Sequence, residues 1–122
     1  MKKQTAIITL TDHNFSHQVL ENAQPSVVHF ITDWSGSSDI MTFIIDDLAP
    51  EYSNEVTFAK IDADKHRQSA MKFGIESVPT LLFFNHGRVV DQTMGMISKS
   101  ELADKLKALL HNMEPSVSSS ME

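Results

Sequence analysis

The chain is expected to fold as a mixed α/β domain, with one central sheet and helices on both faces. Three observations predict this. The hydrophobic period switches back and forth between strand-like and helix-like along the chain. Two late strand runs are separated only by the turn residues Asn85-His86-Gly87. The 122 residues, 41% apolar and 21% charged, suit one domain with an ordinary core. Alternating strands and helices imply parallel pairing through right-handed crossovers, and the hairpin adds antiparallel pairs.

Residues 6–10 (AIITL) form the first expected strand. Thr11 then caps a helix over about 12–22, with Phe15, Val19 and Leu20 on one face, and Pro25 breaks it. Residues 26–32 (SVVHFIT) are an apolar run with one polar insertion, as a strand covered on both faces requires. The small residues of 34–39 (WSGSSD) make a loop that can cap the next helix. In that helix Ile40, Met41, Ile44, Ile45 and Leu48 recur at helical spacing, until Pro50 ends or kinks it.

The second half starts with a strand at 56–61, a polar turn at Asp62-Ala63-Asp64 and a short helix over about 67–73. Gly74 comes next as its C′ residue. Strands at 81–84 and 88–94 make the hairpin. Ser98-Lys99-Ser100-Glu101 is a capping box opening a helix with Leu102, Leu106, Leu109 and Leu110 on one face. The domain is expected to span residues 1–112. Residues 113–122 (MEPSVSSSME), with Pro115 blocking helix extension, are expected to form a disordered Ser-rich tail.

Composition also excludes functions. A net charge of −6 disfavours nucleic acid or an anionic membrane as partner. With no cysteine there is no disulfide, thiolate metal site or cysteine nucleophile. No apolar run approaches the ~18 residues of a membrane span, and Lys2-Lys3 precede too short an apolar stretch for a signal core. A soluble cytoplasmic protein is the resulting expectation. No P-loop or dinucleotide fingerprint is present, and no cofactor is expected.

The element order, with Trp34-Ser35-Gly36-Ser37-Ser38 at a strand-to-helix turn, resembles the thioredoxin family. So do Lys60-Ile61-Asp62-Ala63-Asp64, Phe73-Gly74-Ile75, Val78-Pro79-Thr80-Leu81, Gly87 and Gly95. The resemblance runs from about Thr9 to His111. It implies dithiol chemistry from a Trp-Cys-Gly-Pro-Cys motif, whose first thiol is activated at a helix N-terminus and whose second resolves the mixed disulfide. Carried over by position, the attacking residue is Ser35 and the resolving residue Ser38. A hydroxyl forms no disulfide, so the chain as written cannot perform this exchange. His29 stands where the family buries an aspartate, Ser37 replaces the motif proline, and Asp39 replaces a basic residue. Phe43 replaces a kinking proline, Ile31 replaces an aromatic, and Lys60 is kept without its acidic neighbour.

The serines admit two accounts. Either they are native, or both cysteines of an oxidoreductase were exchanged for their closest isosteres. A cysteine knockout has no reason to alter positions 29, 37, 39 and 43. A buried acid without a thiol to deprotonate only costs stability. Native serines are therefore favoured, and the function expected is a non-catalytic peptide- or protein-binding module. By resemblance its groove comprises Trp34, Gly36, Val78, Pro79, Gly95 and Met96, with a cis Val78–Pro79 bond and a Val78 backbone open to strand addition. Met96 suits an adaptable apolar surface, whereas Met41 and Met94 are better read as core.

Other constellations have plainer readings. His29 with Ser35 or Ser38, oriented by Asp33, could suggest a hydrolase, but a neutral core histidine beside Lys60 fits better, since no oxyanion hole is readable. His13 and His17 have a metal-clamping spacing without a third ligand. Asp62-Ala63-Asp64 lacks the glycine and distal glutamate of a calcium loop and is expected to turn the chain and cap a helix. The serines at 116–120 could accept phosphate, but read first as tail.

Overall fold

The computed structural model describes residues 7–111. Ala6, residue 112 and the Ser-rich segment 113–122 lie outside the described residues. Five strands form one sheet: β1 (Ile8–Thr9), β2 (Ser26–Ile31), β3 (Thr57–Asp62), β4 (Thr80–Asn85) and β5 (Arg88–Met94). Their order across the sheet is β1-β3-β2-β4-β5. β3 pairs in parallel with β1 and β2, while β4 runs antiparallel to both β2 and β5. The helices are α1 (Gly36–Leu48), α2 (Arg67–Lys72) and α3 (Lys99–His111), and a short 3₁₀ turn, Ala49–Glu51, carries Pro50 after α1. The expected mixed α/β architecture is present.

Two cores arise from the period of two in the central strands. Val27, Phe58, Leu81 and Phe83 point to one face, where Met41, Ile45 and Leu48 of α1 and Leu102, Leu106 and Leu109 of α3 cover them. Val28, Phe30, Ala59, Ile61, Leu82 and Phe84 point to the other, against Phe15 and Val19. Phe15, Phe73 and Phe84 stack and cross edge-to-face there, at centroid separations of 5.2–5.9 Å. Each fully buried large side chain contributes roughly 1.5–3 kcal/mol, so Phe30 or Phe83 truncated to alanine would cost about 3–5 kcal/mol.

The first expected helix is reshaped. Thr11 and Asn14 cap its start reciprocally, the Thr11 hydroxyl accepting from Asn14 N–H and Thr11 N–H donating to Asn14 Oδ1. Ser16–Leu20 then winds as a π-helical turn, with Glu21 N–H donating to Ser16 C=O. The Leu20 carbonyl is thereby aimed at the β4–β5 turn, 2.6 Å from where a Cβ on Gly87 would stand. His86 and Gly87 both have positive φ (53° and 77°), as a two-residue type I′ hairpin demands.

Three further expectations change. Ile40 points outward from α1 rather than into the core. Met94 is 65% exposed: on the edge strand β5 it pairs with Thr80 on the sheet face opposite Thr93. Asp62 turns the chain, its carboxylate accepting from Asp64 and Lys65 N–H, but does not cap α2. Asp12 does that from 57 residues away, accepting from both the Ser69 N–H and hydroxyl at 2.8 and 2.7 Å. Partial desolvation pushes the Asp12 carboxyl up, but bonds from Ser69 and Gln68 with nearby His66 outweigh it and hold the group below the usual carboxylate range. α2 ends in a Schellman motif, Ile75 N–H to Ala70 C=O and Gly74 N–H to Met71 C=O, as Gly74 predicts.

Candidate functional site

The site residues gather at the carboxyl end of β2, where the parallel pair with β3 leaves a crevice and α1 begins. Ser35 is the N-cap of α1. Its backbone is extended, and its hydroxyl accepts from Ser38 N–H at 3.1 Å. Ser, Gly and Ser in the first turn make this start easy, because a hydroxyl satisfies one of the otherwise orphaned N–H groups. Ser35 and Ser38 are both buried, and the Ser38 hydroxyl has no hydrogen-bond partner among the described residues. The two positions that the resemblance assigns to a dithiol therefore hold a helix cap and an unpartnered buried hydroxyl.

His29 lies beneath α1. It sits on β2 with its side chain on the same face as Val27, directly across from Lys60 of β3. A cavity of about 50 Å³ separates it from Thr42 and Asp46 of α1. Burial first, and the Lys60 ammonium second, push the imidazole pKa down to about 4. The ring is thus neutral at physiological pH, as expected for a core histidine. Neither His29 Nε2 nor the Ser38 hydroxyl has a partner among the described residues, and the Ser35 hydroxyl is engaged by Ser38 N–H. No serine–histidine pair is assembled among the described residues, so the geometry gives no support to a hydrolase. His17 meets Glu21 on an exposed face, and no group of three or more His, Cys, Asp or Glu among the described residues could hold a metal.

Trp34 stands beside this buried layer and is 73% exposed. Its indole N–H donates to Asp64 Oδ2 at 2.7 Å. Behind it lies a cavity of about 200 Å³ between Thr32 at the end of β2 and Ala70, Met71 and Ile75 of the α2 region, with Val78 on the far wall. Asp64, Arg67 and Glu76 add charge to the lining. The Val78–Pro79 bond is cis, Pro79 is buried, and Gly95 N–H donates to Pro79 C=O at 2.8 Å. That bond joins the Gly95-Met96 loop to the Val78-Pro79 segment. The backbone N–H and C=O of Val78 make no hydrogen bond among the described residues. Gly36 is exposed on the first turn of α1. Missed in the sequence were Asp64 as the holder of Trp34, and Met71 as an exposed apolar wall. Asp64 lies 30 residues from Trp34, with nothing local to mark the pairing.

Comparison with known proteins agrees with this architecture. The thioredoxin family profile matches residues 6–108. Thioredoxin 1 of Synechococcus elongatus is 35% identical over 97 residues, covering 80% of this chain and 91% of that one. Thioredoxin of Buchnera aphidicola is 37% identical over 100 residues, covering 82% and 93%. Thioredoxin 1 of a Nostoc strain is 31% identical over 103 residues, covering 84% and 96%. Among the described residues no helix is long and apolar enough to cross a membrane. With the strand order, the turn that opens α1 and these matches together, the chain belongs to the thioredoxin family and, holding no cysteine, has no redox dithiol.

Proposed function

We propose that this protein is a non-catalytic member of its family that binds extended polypeptide segments over the face carrying Trp34, Gly36, Val78, Pro79, Gly95 and Met96. The observation that carries the reading is the exposed indole of Trp34, fixed by Asp64 beside a side-chain-sized cavity. A large apolar group held rigid in water costs ordering entropy and gains nothing until something covers it. The open Val78 backbone offers an extended chain one donor and one acceptor, and the cavity receives an apolar side chain from it. A cytoplasmic location belongs to the same proposal and is checked by cell fractionation.

The test is an amide chemical-shift titration with a reduced, permanently unfolded polypeptide. Resonances of Trp34, Val78 and Gly95 should move together along one saturating curve. If they stay in place while unfolded chain is in excess, the groove does not bind and the proposal fails.

A second reading is an oxidoreductase whose cysteines were replaced at Ser35 and Ser38. It is favoured by the intact helix start at Ser35, where a thiolate would be stabilised. His29 and Phe43, which such a replacement would not touch, favour native serines. The codons of the native gene at positions 35 and 38 decide between the two.

A further inference from the structure

The helix that opens at Ser35 carries a second apolar surface, remote in kind from the peptide groove. α1 buries Ser38, Met41, Ile45 and Leu48. At about 100° per residue these cluster on one side, and Ile40, Phe43 and Asp47 fall opposite. Phe43 is 76% exposed and Ile40 51%. Three residues apart, their side chains adjoin on the helix surface. In the monomer Phe43 stays mostly exposed and Ile40 only half-buried, and neither residue is a preferred helix former at a solvated position.

Charge defines what could cover it. α1 contains Asp39, Asp46 and Asp47 and no Lys, Arg or His. Asp47 is held by Lys99 at 2.6 Å, whereas Asp39 and Asp46, flanking Phe43 at i−4 and i+3, form no ion pair among the described residues. We propose that this face docks a basic amphipathic helix of a partner protein, with an apolar stripe over Ile40 and Phe43 and Lys or Arg against Asp39 and Asp46. An extended peptide fits poorly here, because the mid-helix N–H and C=O groups are already used inside α1 and offer no main-chain bonds. A helical partner brings its own backbone satisfied. A second copy of this chain would set the same carboxylates against each other, on a molecule whose net charge is already −6. Gly36 of the proposed groove precedes Ile40 by four residues on the same side of α1, so the two surfaces adjoin at the start of the helix.

The probe is a short fluorescein-labelled Leu/Lys amphipathic helical peptide, with a Leu/Glu counterpart as control. The Leu/Lys peptide should bind, with amide shifts concentrated between Asp39 and Asp47, and the Leu/Glu peptide should not. Phe43→Ser should weaken binding about tenfold. Asp39→Asn with Asp46→Asn should weaken it roughly three- to tenfold and blunt its loss between about 0.05 and 0.3 M salt. Both sets of side chains are exposed, and circular dichroism verifies the fold. Trp34→Ala should leave this affinity unchanged, which separates the result from the fate of the peptide groove. The proposal is overturned if shifts scatter over the acidic surface, if Phe43→Ser binds as tightly as the parent, or if the Leu/Glu peptide competes. It is equally overturned if the parent dimerises and Phe43→Ser makes it monomeric, since a second copy would then own the face.

Discussion

The Trp34 indole N–H donates to the Asp64 carboxylate at 2.7 Å, joining the residue before the Ser35 cap of α1 to the turn after β3. Both residues are exposed, so the bond holds a surface in shape more than it holds the fold together. Asp64→Ala should change unfolding free energy by no more than about 1 kcal/mol. Trp34 is the chain's one tryptophan, so its near-ultraviolet dichroism reports the freed ring directly. Affinity for an unfolded polypeptide should fall roughly three- to tenfold, because the anchor must then be ordered on binding. Unchanged affinity with a visibly mobile indole would mean that Trp34 is not the anchor.

His29 should make the protein sensitive to mild acid. Its folded pKa is about 4 against an ordinary 6.5, with burial the larger cause and Lys60 the smaller. Above pH 6.5 both folded and unfolded states hold the ring neutral. Between 6.5 and about 4 only the unfolded chain takes up the proton, so stability falls as pH falls through that window. The full loss is about 3 kcal/mol. Urea unfolding at a series of pH values measures it, and His29→Leu should flatten the slope. Lys60→Met should raise the imidazole pKa only part of the way, leaving it depressed by burial, as an NMR titration of the ring would show.

The two serines at the site should respond oppositely to alanine. Ser35 caps α1, and removing its hydroxyl should cost about 0.5–2 kcal/mol. Ser38 has a buried hydroxyl with no partner among the described residues. Ser38→Ala should be neutral or stabilise by up to about 1 kcal/mol, because an unsatisfied polar atom is replaced by none. Equal losses in thermal or chemical unfolding would show that the Ser38 hydroxyl does find a partner in solution.

Gly87 and Gly95 share a positive φ but not a neighbourhood. A Cβ at Gly87 would meet the Leu20 carbonyl oxygen at 2.6 Å, whereas one at Gly95 meets nothing within 4 Å. Gly87→Ala must move backbone and strain φ together, so about 2–4 kcal/mol should be lost. Gly95→Ala bears the φ strain alone, about 1 kcal/mol. Denaturant midpoints of the two variants compare these directly, and a Gly95→Ala loss as large as the other would refute the steric account.

Residues buried on both faces were the readable ones. Val27 to Phe30 and Leu81 to Phe84 form near-continuous apolar runs that suit central strands, and the leucines of α3 mark its buried stripe. The edges were harder. β5 has a bulge in which Phe83 and Phe84 face Asp91 and Val89, so Val90 falls out of the alternation, and Met94 on this edge strand stays exposed. Ile40 fits the helical period yet belongs to the outer face, because hydrophobicity alone does not say which side of α1 meets the sheet. The serine positions and the neutral His29 were legible because a resemblance supplied the register. Asp12 over Ser69 and Asp64 under Trp34 were not, since pairs 57 and 30 residues apart leave no local pattern.

The Ser35 cap has a kinetic consequence. An attacking thiolate would hold a guest through a covalent bond, whose release waits on a second thiol and a supply of electrons. A hydroxyl already engaged by its own helix gives the guest no such tether. How long a segment bound as proposed would stay there is then decided only by its non-covalent dissociation rate and by competing chains. Residence of a segment bound as proposed would thereby be uncoupled from the redox state of its surroundings.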